Sequence, residues 1–120
     1  MSQHSYTKSK RLLTPSAFQG VFDKALYRVS HKNFLLLARP NLFDGARLGL
    51  VIGKKNIRLA VNRNLVKRMV RESFRLEYHR LPAVDVIFLA RRNLDQVSKT
   101  DITNMLMQSW AQLISHAQKT

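Results

Sequence analysis

Ala60–Arg75, AVNRNLVKRMVRESFR, has the spacing of an amphipathic helix whose two faces need different surroundings. With Val66 set at zero and about 100° per residue, Leu65, Val66, Met69, Val70, Phe74 and Leu76 fall within about half the circumference. Asn64, Lys67, Arg68, Arg71 and Arg75 lie opposite, with Arg63 on the flank. One face asks for a core and the other for anions. The spacings 63, 67, 71, 75 and 64, 68, 71, 75 stack like charges one turn apart, which costs helix stability unless a partner neutralises them. Only Glu72 and Glu77 interrupt the basic residues, so the pattern favours a nucleic-acid partner over a merely solvated face.

The whole chain has the same bias. It carries 21 Lys and Arg against 7 Asp and Glu, a formal charge of +14 in 120 residues. Such an excess opposes compaction unless polyanions or counterions are near. A hydrophobic fraction of 45% fits a folded globule, and the length suits one domain over 1–120 with one core. No cysteine is present, which removes disulfides, thiolate metal sites and a cysteine nucleophile. No apolar run reaches the roughly 18 residues of a spanning helix, so neither a signal peptide nor a membrane anchor is expected and a cytoplasmic protein fits.

Working outward from the basic stretch, the helix is predicted over 62–79 with Asn62 as its cap. Before it, RLGLVIG (47–53) alternates Leu48, Leu50 and Ile52 with Arg47, Gly49, Val51 and Gly53, a half-buried strand with one small face. Glycines 49 and 53 leave room for a ligand or a second backbone. Lys54 and Lys55 follow at the strand end. NFLLLARP (33–40) reads as a strand buried on both faces and ended by Pro40. The turn NLFDG (41–45) between the two carries an Asp-Gly pair that favours a hairpin. Tyr27 to His31 reads as a connector.

Thr14 as cap and Pro15 at the first position start a helix over 15–25, with Ala17, Phe18, Val21, Phe22 and Ala25 on one stripe. Phe18 and Phe22 either fill a core or offer stacking surfaces to bases. Gly20 weakens this helix by about 1 kcal/mol relative to alanine. Residues 1–10 lack periodicity and are expected to be mobile, as is the tail from 118 to 120. Beyond the basic stretch, Val84–Ala90, VDVIFLA, is apolar enough for a central strand, and Arg91 and Arg92 punctuate its end. A last helix is predicted over 101–117, capped by Thr100, with Ile102, Leu106, Trp110, Leu113 and Ala117 inward. The elements add up to an α+β sandwich in which helices cover a small mixed sheet.

No catalytic machinery is visible. The acids Asp23, Asp44, Glu72, Glu77, Asp85, Asp95 and Asp101 form no paired local motif for a magnesium-dependent nuclease. His4, His31, His79 and His116 are not at metal-ligand spacing, and Gly53-Lys54-Lys55 lacks the form of a phosphate loop. The equipment is for recognition: lysine and arginine for phosphates, and Asn64 for base edges or a 2′-hydroxyl. A ribosomal RNA-binding module or a basic DNA-binding protein would share much of it.

AVNRNLVKRMVRESFR, preceded by RLGLVIGKKN and followed by DVIFLARR, resembles the signature region of the bacterial ribonuclease P protein component, and the similarity extends from RLLTPSAFQGVF to the last helix. The resemblance implies an accessory subunit of an endoribonuclease whose large RNA holds the active site and removes the 5′ leader of precursor tRNA with magnesium. It implies the order α-β-β-β-α-β-α, a four-stranded mixed sheet, and a left-handed βαβ crossover through the basic helix, where general rules favour the right-handed one. Carried over by position, Arg63, Asn64, Lys67, Arg68, Arg71 and Arg75 dock on the catalytic RNA. Leu65 stands where the family usually repeats arginine. Phe18 and Phe22 line a cleft for the leader, framed by Lys54, Lys55, Arg91 and Arg92. Magnesium is held mainly by the RNA, the protein itself has no catalytic or metal-ligating residue, and the partners are the catalytic RNA and precursor tRNA, with no membrane and no obligate protein partner.

Overall fold

The computed structural model describes residues 10, 11 and 14–119. Residues 1–9 of the polar leader, Leu12, Leu13 and Thr120 lie outside the described residues. Lys10, grouped with that leader above, is buried, and its Nζ sits 3.9 Å from the centre of the Tyr78 ring.

Helix α1 spans Pro15–Lys24, and its cap is the expected one, with Thr14 Oγ1 accepting from Ala17 N at 3.2 Å. Strand β1 spans Tyr27–Ser30, where a connector was expected. Four residues are too few for alternation to stand out, but Tyr27 and Val29 are buried while Arg28 and Ser30 are exposed. Strands β2 (Phe34–Pro40) and β3 (Arg47–Val51) lead to helix α2 (Ala60–Glu77), strand β4 (Val84–Ala90) and helix α3 (Lys99–Gln118). The chain thus runs α-β-β-β-α-β-α.

The sheet order is β1-β2-β4-β3, with β2 antiparallel to both β1 and β4, and β3 parallel to β4. The hairpin expected at Asp44-Gly45 does not form, because β4 inserts between β2 and β3. What holds the loop is Asp85 at the start of β4. Arg47 donates to both its carboxylate oxygens, from Nε at 2.8 Å and Nη2 at 2.6 Å, and Asn41 Nδ2 donates at 2.9 Å. Both ends of the loop are therefore tied to β4, and Asn41 Nδ2 also donates to Gly45 O at 3.2 Å within the loop. Asp-Gly chemistry permits a tight turn, but these long-range bonds decide the pairing.

The sheet is covered on both faces. Its inner face presents Phe34, Leu36, Leu48, Val86 and Phe88 to Val66, Val70 and Phe74 of α2 and Ile102, Leu106, Trp110 and Leu113 of α3. Each large side chain removed from water here contributes about 2–3 kcal/mol. Trp110 is fully buried, and its Nε1 donates to Ser73 Oγ at 2.7 Å, so the one polar atom of the indole is satisfied. On the outer face Val21 of α1 packs against Leu37 and Ile87. The register sets that face in rows: Arg39, Asp85 and Arg47, then Leu37, Ile87 and Gly49, then Leu35, Leu89 and Val51.

Two helix starts differ from expectation. The first position of α2 follows Leu59, with no side-chain cap bond, and Asn62 lies inside the first turn. The cap of α3 is Ser98, whose Oγ accepts from Asp101 N at 3.1 Å, so Thr100 is already helical. The helix also continues through Gln118, past the predicted end.

Candidate nucleic-acid interface

Burial of Val66, Val70 and Phe74 turns the opposite face of α2 to solvent. There Asn64, Lys67, Arg68, Arg71, Glu72 and Arg75 line an open groove of about 490 Å³. Four cations face one carboxylate in it. Arg75 is paired with Glu72, through Nε at 3.1 Å and through Nη2. That bond holds the Glu72 carboxyl below its ordinary range and raises the Arg75 guanidinium. Among the described residues Asn64, Lys67 and Arg68 have no hydrogen-bond or ion-pair partner, which leaves their donors open to phosphate oxygens.

Arg63 does not join the groove. Its Nη1 donates to the carbonyls of Ile57 at 3.0 Å and Arg58 at 2.7 Å, tying down the segment that leads into an uncapped helix. Leu65, in the position the family usually gives to arginine, is half-buried in a shallow groove with Val66, Met69, Val97 and Ile102.

The second group of residues lies around α1 and one end of the sheet. Phe18 is half-buried beside Val21, Leu37 and Ile87, whereas Phe22 is 42% exposed. Gly49, in the row of Ile87 and Leu37, carries no side chain into this face, and a Cβ on Gly53 would meet no atom within 4 Å. Lys54 and Lys55 occupy the exposed turn after β3, and Asn56 Nδ2 pins that turn to Ala90 O at 2.9 Å. Arg91 and Arg92 follow Ala90, so the four cations share the end of the sheet where β3 and β4 both finish. Arg92 is exposed, but Arg91 is committed: its Nη1 donates to His31 O at 2.6 Å and Ser30 Oγ at 3.1 Å.

Metal-ligating side chain types are scattered among the described residues. No three His, Cys, Asp or Glu side chains converge among them. Glu72, Glu77 and Asp85 are each bonded to an arginine. These side chains do not fit a protein-held magnesium. Nor, among the described residues, is any helix long and apolar enough to cross a membrane.

The comparisons agree with this arrangement of a basic helix on a four-stranded sheet. The profile of the family described as Ribonuclease P matches residues 6–114. The chain belongs to the ribonuclease P protein family. The ribonuclease P protein component of Chromohalobacter salexigens is 46% identical over 119 residues, covering 99% of this chain and 93% of the relative. That of Azotobacter vinelandii is 44% identical over 94% of this chain and 87% of its own length. The Staphylococcus aureus RNase P protein superposes with a TM-score of 0.75 at 28% identity, covering 92% of this chain and 96% of that one. The Thermotoga maritima RNase P protein does so at 0.69 and 29%, covering 82% and 96%. Membership makes the chain the accessory protein subunit of an endoribonuclease, ribonuclease P.

Sequence reasoning passed over the Arg47–Asp85–Asn41 cluster, whose members are 38 and 44 residues apart. It also passed over Arg28 and Arg39 on the outer face. The latter had a signal, since 35, 37 and 39 share one face of a strand.

Proposed function

We propose that this chain binds the catalytic RNA of ribonuclease P through the α2 groove and holds the 5′ leader of precursor tRNA between α1 and the outer face of the sheet. The observation that carries the first half is the groove of four cations in which Lys67 and Arg68 have no hydrogen-bond or ion-pair partner among the described residues. Lysine and arginine there replace counterions on the RNA backbone, and the gain falls with salt. The second half is supported by an exposed Phe22 beside a half-buried Phe18, a side-chain-free Gly49 and the exposed Lys54, Lys55 and Arg92. Aromatic faces and phosphate charges grip a single strand whatever its sequence, which suits a subunit that serves many tRNAs.

On this account the protein contributes positioning and electrostatics in the cytoplasm, and bond-breaking belongs to the RNA with its magnesium. Neutralised phosphates lower the magnesium that the RNA needs to fold and bind substrate. Reconstitution with the cognate catalytic RNA tests this directly. At low magnesium, added protein should raise cleavage of precursor at the mature 5′ end, and RNA-free protein should cut nothing. Cleavage by the protein alone, or no gain on adding it, would refute the division of labour.

A further inference from the structure

A further group of cations lies on the flank of α1 turned away from Phe18 and Phe22, at the end of the outer face opposite to Lys54, Lys55, Arg91 and Arg92. At about 100° per residue, Gly20 points about 160° away from both Phe18 and Phe22. A Cβ there would fall 2.7 Å from Arg39 Nη2 and 2.9 Å from Arg39 Cζ. The guanidinium therefore lies against bare helix backbone, in a seat that only glycine leaves open. Arg39 is in register with Asp85, its natural partner, yet that carboxylate is already taken by Arg47 and Asn41. Arg28 is paired with Leu37 across the β1–β2 ladder and so is the diagonal neighbour of Arg39 on the same face. Lys24 follows Gly20 by one turn on the same flank of the helix. Asp23 accepts from Gln19 Nε2 at 2.8 Å. Among the described residues none of Lys24, Arg28 and Arg39 makes a hydrogen bond or an ion pair.

Three cations on one flank with no ion pair among the described residues, one of them half-buried, are unfavourable in the free protein. An anion relieves that, and the planar fork of a guanidinium suits the paired oxygens of a phosphodiester. We propose that Arg39, seated against Gly20 and flanked by Arg28 and Lys24, forms a phosphodiester-binding site on the flank of α1 away from the phenylalanines. The proposal rests on the chain's reading as an RNA-binding subunit. The phosphodiester belongs either to the catalytic RNA or to the precursor, and binding measured separately to each distinguishes them.

The test titrates full-length protein with catalytic RNA, and the reconstituted complex with leader-bearing precursor, across a salt series. Arg39→Gln should weaken one of the two by about fivefold near physiological salt and lower its salt slope by about 1. Gly20→Ala should reproduce that loss without lowering the unfolding midpoint, because the added methyl displaces only the flexible end of Arg39 while favouring the helix. A merely structural arginine would move the midpoint and leave the slope alone. Wild-type affinity and slope for Arg39→Gln in both titrations overturns the site. Arg68→Ala separates this outcome from the fate of the α2 groove: loss in Arg39→Gln with Arg68→Ala unaffected upholds the new site and rejects the groove.

Discussion

Among the described residues Arg68 has no hydrogen-bond or ion-pair partner in the α2 groove, so on the proposed reading its removal subtracts a phosphate contact and no protein bond. Arg68→Ala, and likewise Lys67→Ala, should weaken catalytic-RNA binding and reduce the salt slope by about 1; an unchanged slope would argue against phosphate contact. Glu72 is the counter-case, the one carboxylate among the groove's cations. Its lowered pKa means the Arg75 pair persists as pH falls through the ordinary carboxylate range and is lost only below it. Glu72→Gln releases Arg75 and removes the repulsive charge, and RNA affinity at neutral pH should rise about threefold; a loss of affinity would mean that Glu72 positions Arg75 for the RNA. Asp85 is of another kind, 2% exposed and holding Arg47 and Asn41 across the start of β4. The bond to Asp85 raises the Arg47 pKa, and the Phe43 ring lies 4.1 Å from the Arg47 guanidinium carbon. Asp85→Asn should cost about 3 kcal/mol in urea unfolding. A loss under about 1 kcal/mol would put the pair on a par with a surface salt bridge.

At the scale of elements, α1 and α2 divide the labour between the sheet's two faces. Helix α1 contributes a fully buried Val21 to the outer core and leaves Phe22 42% exposed, so on the proposed reading its stripe both packs and meets the leader. Phe18→Ala should therefore lower affinity for precursor about tenfold more than for mature tRNA, the range of one base–aromatic stack. Equal losses on both substrates would return the ring to the core. Helix α2 is stitched to α3 by Phe74 and Trp110, whose rings are 5.8 Å apart, and by the Trp110–Ser73 hydrogen bond. Ser73→Ala strands a buried indole N–H and should destabilise the fold by about 1–3 kcal/mol. Since Ser73 is outside the cationic groove, RNA affinity of the folded variant should stay at the wild-type value.

For the whole molecule, a formal charge of +14 is tolerable because the cations are spread over α2, the end of the sheet and the outer flank of α1, while the apolar residues close two cores around four strands. The periodicity of Ala60–Arg75 was enough to name an amphipathic basic helix, because a helix of any origin must bury one stripe and solvate the other. The alternation of 47–53 and the apolar run of 84–90 were equally sufficient for strands. Charge, absent cysteine and scattered acids favoured recognition over a self-sufficient nuclease, and the motif around α2 indicated the family. Pairing was not legible. Asp44-Gly45 satisfies the local rule for a hairpin, yet β4, more than thirty residues away, comes in between through its ladders with β2 and β3 and the bonds of Asp85 to Arg47 and Asn41. The same holds for the functional side chains. Composition marks Arg63, Arg68, Arg91 and Arg92 as alike, yet backbone carbonyls brought close by folding engage Arg63 and Arg91, while Arg68 has no hydrogen-bond or ion-pair partner among the described residues. Local sequence determines what a segment prefers to bury, since that depends on its own residues. Which donors remain for a ligand is set by distant groups that meet only in the folded chain.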